Sequence, residues 1–148
     1  MDTHRFDRAL PMALLRAREA VMKGFVTTLK EYDMSPQQWR VIRTLQQDNG
    51  VEMSELSKRC FLLKPSMTRI VQNLEERNYI SRQKANNDQR KCVLFLTEKG
   101  YSLCERVAPK SLERYEYIAQ KFGQSKLSLL HELLEDLVDC LEETSNTK

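Results

Sequence analysis

Arg90 stands two residues after Asp88 in the run Lys84-Ala85-Asn86-Asn87-Asp88-Gln89-Arg90-Lys91, which combines positive charge with turn-forming residues. An arginine on a tight hairpin has the reach and charge to enter a nucleic-acid minor groove, where narrow A·T segments concentrate negative potential. Asp88 would hold its guanidinium by a charge-assisted bond. The plainer reading is an exposed ion pair, contributing about 0–1 kcal/mol. Upstream, Lys64, Ser66, Thr68, Arg69 and Asn73 lie on the polar side of a helical repeat. Those side chains meet phosphates and base edges, and Lys64 stands at the helix start, where free amides suit a phosphate. The bland alternative is a solvated helix face. Arg69 is the foremost candidate contact, while Lys58, Arg82, Lys84 and Lys91 would add sequence-independent attraction.

A second set of residues suggests small-molecule binding. Arg18 shares a helical stripe with Leu14, Val21, Met22 and Phe25, whereas Arg16 neighbours Met12, Glu19, Ala20 and Lys23. A cation among apolar groups needs a partner. That partner is either a ligand carboxylate held bidentately or a structural salt bridge. Trp39, the single tryptophan, is either core or one wall of an aromatic pocket. Met12, Cys60, Leu63 and Met67 are further wall candidates, with Arg16 and Met22 completing the set.

Other chemistry finds little support. There is no paired nucleophile and base, no phosphate-cradling loop and no metal-ligand spacing, so neither an enzyme nor a cofactor is expected. Cys60, Cys92, Cys104 and Cys140 form no CxxC pair and read as reduced thiols. The charged start and the absence of a long apolar run point to a cytoplasmic protein without membrane contact. The net charge of +3 over 148 residues is mild, but its distribution is uneven. Cations crowd the middle, whereas Glu132, Glu135, Asp136, Asp139, Glu142 and Glu143 fill the last helix.

Periodicity supplies the elements that position these residues. The spacing predicts a first helix from about Asp7 to Tyr32, with Pro11 in its first turn. Ser35 caps a second helix that starts at Pro36 and ends near Asp48-Asn49-Gly50. Val51-Glu52-Met53 is an extended link, and Ser54 caps a short helix to about Cys60. Lys64-Pro65-Ser66 opens a fourth helix with Met67, Ile70, Val71 and Leu74 inward, closed at Arg77-Asn78. Tyr79–Lys84 and Cys92–Leu96 read as strands. Thr97 caps a long helix that Pro109 should interrupt or bend. Gly123 ends it, and Ser125 starts a last helix with Leu127, Leu130, Leu133, Leu134, Leu137, Val138 and Leu141 on one face. The fold class expected is mainly α with a small β-hairpin wing: a winged helix-turn-helix (34–97) between dimerisation helices (1–33 and 98–148).

In that order of elements, particular motifs resemble the multiple-antibiotic-resistance-regulator (MarR) family. Ser35-Pro36-Gln37-Gln38-Trp39-Arg40-Val41-Ile42 resembles the opening of its second helix. Leu63-Lys64-Pro65-Ser66-Met67-Thr68-Arg69-Ile70 with Leu74-Glu75 looks like its recognition helix. Asn87-Asp88-Gln89-Arg90-Lys91, followed by Leu96-Thr97-Glu98-Lys99-Gly100, matches its wing and the helix after it. Ala13-Leu14-Leu15-Arg16-Ala17-Arg18-Glu19-Ala20 is similar to the branch that regulates homoprotocatechuate (4-hydroxyphenylacetate) degradation. The resemblance implies a homodimeric repressor of double-stranded operator DNA, released by a small aromatic carboxylic acid. Two alternatives stay open: a DNA-binding regulator tuned by oxidation of Cys60 or Cys104, and a winged-helix protein-interaction module.

Overall fold

The computed structural model describes residues 5–85 and 88–145, and of 85, 88–90, 144 and 145 the backbone only. A 3-10 turn, Phe6–Arg8, precedes α1 (Leu10–Lys30) and α2 (Pro36–Gln47). Then come β1 (Val51–Glu52), α3 (Met53–Arg59), α4 (Lys64–Glu76), β2 (Ile80–Ala85) and β3 (Asp88–Leu96). The chain ends in α5 (Glu98–Phe122) and α6 (Gln124–Ser145). The fold is therefore mainly helical, with an antiparallel sheet in the order β1-β3-β2. The link at Val51-Glu52 is a true strand, pairing Val51 with Leu94 and Glu52 with Val93.

Local chemistry explains most element ends. Ser35 Oγ accepts the Gln38 N–H at 3.1 Å, and Gln38 Oε1 accepts the Ser35 N–H at 2.9 Å, a reciprocal capping box. Three helices end with a left-handed residue: Asp33 (φ 52°) after α1, Phe61 (φ 55°) after α3 and Asn78 (φ 64°) after α4. Each closes a Schellman pair. For α4 these are Asn78 N–H to Glu75 O at 3.0 Å and Tyr79 N–H to Leu74 O at 2.9 Å. Asparagine tolerates that conformation well; Phe61 does so against its propensity.

Three expectations are corrected. The cap of α3 is Glu52, not Ser54, and Ser54 Oγ donates to the Glu52 carboxylate at 3.1 Å. The helix starts earlier because Val51 and Glu52 are held in the sheet. Pro109 lies inside α5, so of its two expected effects, interruption or a bend, the interruption does not occur. The last helix begins at Gln124, one residue before Ser125. Gly123 does separate the two helices, at φ +107°, a conformation L side chains rarely adopt.

The chain divides into two units within α5, at Ser111/Leu112. The first holds the core. Val41, Ile42 and Leu45 of α2, Leu56 of α3, Met67, Val71 and Leu74 of α4, and Leu94 of β3 are all 1% exposed or less. Leu103, Cys104 and Val107 of α5 join them. A Cβ at Gly100 would meet Tyr79 O and Leu96 Cδ1 at 2.5 Å, so α5 can approach the sheet closely only with glycine there. In the second unit, α6 leaves Leu129, Leu130, Leu133, Leu134, Val138 and Leu141 exposed. Among the described residues, no helix is long and apolar enough to cross a membrane.

Candidate nucleic-acid interface

The core sets the orientation of α4. With Met67, Val71 and Leu74 buried, the polar residues between them must face outward. They divide into two stripes. Ser66, Arg69 and Asn73 border an open groove of about 390 Å³, whose other side is Ser35, Gln37 and Gln38 at the start of α2. Thr68 and Gln72 face solvent on the next stripe. The Thr68 hydroxyl donates to its own helix at Lys64 O, 3.0 Å away, and Gln72 Nε2 reaches Glu76 Oε1 at 3.5 Å. Arg69 is exposed and forms no ion pair among the described residues. Its cation is thus available to an incoming anion without first breaking a pair.

Two contacts hold this face in place. Gln38 Nε2 donates to Asn73 Oδ1 at 2.9 Å, tying α2 to α4. Arg40 donates to Cys60 O at 2.5 Å, pinning the α3–α4 turn that carries the left-handed Phe61. At the far end of α4, Arg77 donates to Tyr32 O at 3.3 Å, and Lys99 Nζ donates to Arg77 O at 2.8 Å. Both cations also cover the Tyr79 ring, Arg77 at 5.1 Å and Lys99 at 4.7 Å. Tyr32 carries Arg106 and Lys110 over its own ring, at 5.7 and 5.4 Å. The end of α1 is therefore fastened to the end of α4.

The hairpin is built from β2 and β3, with Lys84 paired to Cys92 in the register. Lys84 and Lys91 are exposed. Arg82, expected as a free attractor, instead donates to Glu75 of α4 at 3.3 Å, because the strand runs back alongside that helix. The side chains of Asp88 and Arg90 lie outside the described residues, so their pairing has no structural account here.

The effector candidates scatter. Arg18 is half-exposed, and its guanidinium lies 3.7 Å from Glu19, the next residue. Arg16 is exposed, Met12 and Met22 are half-buried, and Trp39 packs on the edge of the core. Leu63, the N-cap of α4, points into solvent at 79% exposure. Cys60 and Met67 belong to the closed core rather than to an open wall. The stripe spacing that marks them as inward cannot tell a cavity lining from a packed interior.

The thiols fit oxidation sensing poorly. Cys60 is fully buried, its Sγ 3.7 Å from Arg40 O. Burial pushes the Cys104 thiol up to about 11, leaving little thiolate to react. Among the described residues no group of His, Cys, Asp or Glu could hold a metal ion.

Gln38 and Arg40 were not singled out as site residues by sequence reasoning. The signal for Gln38 was present in Ser35-Pro36-Gln37-Gln38, where glutamine stands three after the cap serine. Nothing local marks its second bond to Asn73, 35 residues away.

Comparison with known proteins accords with this architecture. The MarR family model matches residues 34–92, from the end of the α1–α2 link into β3. The HTH-type transcriptional regulator FarR of Neisseria gonorrhoeae is 35% identical over 137 residues, covering 93% of this chain and 94% of its own. The homoprotocatechuate degradative operon repressor of Escherichia coli is 35% identical over 130 residues, covering 88% of each. NadR, solved in complex with 4-hydroxyphenylacetate, superposes with a TM-score of 0.78 at 35% identity, covering 93% of this chain and 97% of that one. With a recognition-type helix, a hairpin wing and relatives of this length and identity, the chain belongs to the MarR family of transcriptional regulators.

Proposed function

We propose that this protein is a homodimeric cytoplasmic repressor that binds a pseudo-palindromic operator and is released by a small phenolic acid, controlling an aromatic-catabolism operon. In this reading α4 enters a major groove, with Lys64, Ser66, Thr68, Arg69 and Asn73 toward the DNA. The hairpin residues Arg82, Lys84, Asp88, Arg90 and Lys91 flank it. A two-fold dimer sets two such helices about one DNA turn apart, roughly 34–36 Å. The observation that carries the reading is the α4 stripe: its apolar side is locked into the core, and its other side offers an exposed Arg69, with no ion pair among the described residues, beside an open groove.

The class of effector rests on two relatives, the homoprotocatechuate operon repressor and NadR with its bound 4-hydroxyphenylacetate. Arg18 is the residue assigned to a ligand carboxylate, since Glu19 offers only an exposed pair that a bidentate carboxylate would readily replace. Met12, Arg16, Met22, Trp39 and Leu63 are its proposed surroundings. Because α1 is tied to α4 through Tyr32 and Arg77, a ligand that shifts α1 would shift the spacing of the reading helices.

The test is a gel shift with the protein's own upstream DNA at two salt concentrations, with and without 4-hydroxyphenylacetate or homoprotocatechuate. Specific, salt-sensitive binding abolished by the acid is expected, and Arg18→Ala should keep the binding and lose the release. Specific binding indifferent to both acids would discard the effector and keep the repressor. Weak, salt-insensitive binding would return the winged-helix interaction module.

A further inference from the structure

Asn73 is a half-buried polar residue of the α4 stripe at the edge of the groove, and its amide has two unlike ends. Which end faces outward decides what it reads. A chain of two hydrogen bonds settles this from a donor that cannot turn round. The Ser35 backbone N–H can only donate, so the atom of Gln38 facing it at 2.9 Å must be the oxygen, Oε1. The opposite end of the same amide, Nε2, then faces Asn73 at 2.9 Å. Nε2 can only donate, so Asn73 must present Oδ1 to it. Its NH2 group is left for the groove.

We propose that Gln38 is a positioning residue that fixes the polarity of Asn73, making it an outward donor that recognises a hydrogen-bond acceptor on the DNA. The proposal rests on the operator-binding reading above. Two acceptors share this chemistry, the N7/O6 edge of a guanine and a phosphate oxygen. Adenine is the disfavoured base at this position, because its bidentate match to asparagine needs the oxygen facing outward as well. Gln38 thereby acts on specificity without touching DNA, and the capping box of α2 becomes part of the reading apparatus of α4.

Gln38→Glu inverts the relay while keeping the fold. A glutamate at this position still accepts the Ser35 N–H, as in the glutamate form of the capping box. Its other oxygen accepts but cannot donate, so Asn73 must turn its NH2 inward and its oxygen out. The experiment measures operator affinity for the full-length wild type, Gln38→Glu, Asn73→Ala and the double variant. Every single-base-pair variant of the operator is used, and thermal melting checks that all four proteins fold. With a base-edge contact, Gln38→Glu should shift preference at one base pair by about 10-fold, away from guanine and toward a base with an outward donor. With a phosphate contact, it should weaken all sequences equally by about 10-fold, with no re-ranking. In both cases the effect should vanish in the Asn73→Ala background. An equal effect with and without Asn73 would show only added negative charge and overturn the relay, as would no effect at all. Failure of the wild type to prefer any sequence would instead overturn the operator reading, and the relay with it.

Discussion

Apolar side chains meet opposite fates in the reading region and in the last helix. Between Leu29 and Val107, leucine, isoleucine, valine and methionine close around one another until Val41, Ile42, Leu45 and Leu74 have no exposure left. In α6, Leu130, Leu133, Val138 and Leu141 remain 41–62% exposed. Both stretches have helical periodicity, so periodicity is not what separates them. The first unit folds parts of five helices and a sheet around one volume. A single helix cannot enclose its own stripe, and an exposed apolar face of this extent marks a binding surface. The contrast teaches that the candidate reading face is built within one chain, whereas the proposed pairing with a second copy would fall to the apolar face of α6.

The strongest way to break this comparison is to make α6 polar. Leu130→Lys with Leu134→Lys should leave the fold of the reading region intact and yield monomers in sedimentation. Operator affinity should fall about 100-fold or more, because two half-sites are then no longer held together. Normal affinity would show that α6 serves another partner. Leu74→Ala is the converse. It should cost about 2–5 kcal/mol in urea unfolding, with a midpoint shift that persists at every protein concentration. On the reading face itself, Arg69→Ala should cost about 1–3 kcal/mol and relax specificity at one position if it meets a base. Lys64→Ala should weaken all sequences alike and lower the salt slope by about 1. The smallest effect concerns the core thiol. The folded-state pKa of Cys104 is raised, to about 11, so the unfolded chain loses this proton first. The stability this group contributes is therefore fully present below about pH 8.5 and declines from there toward about pH 11. Cys104→Ala should flatten that decline in urea midpoints taken across the range.

Much of the fold is legible residue by residue. Ser35-Pro36 marks the start of α2, Asn78 the end of α4 and Gly123 the break before α6, because each acts through its own φ or its own cap. Phe61 shows the limit. No turn-forming residue announces its left-handed conformation, which is secured by Arg40 from another helix. The strand at Val51-Glu52 is invisible for the same reason, since two residues form a strand only when β3 supplies the partner. At the candidate site, the polar types of α4 are readable, but the engagement of Arg82 with Glu75 and the enclosure of Cys60 and Met67 are not.

The amino-acid sequence by itself determined the helices, the Ser35 cap of α2, the inward stripe of α4 and the basic hairpin, because all of these depend on neighbours within four residues or on alternation along one strand. Only the tertiary structure decided which inward residues meet one another, and with that whether Met67 lines a cavity or fills a core. It also decided which end of the Asn73 amide faces the groove, since that orientation comes from a backbone N–H 38 residues earlier through the side chain of Gln38.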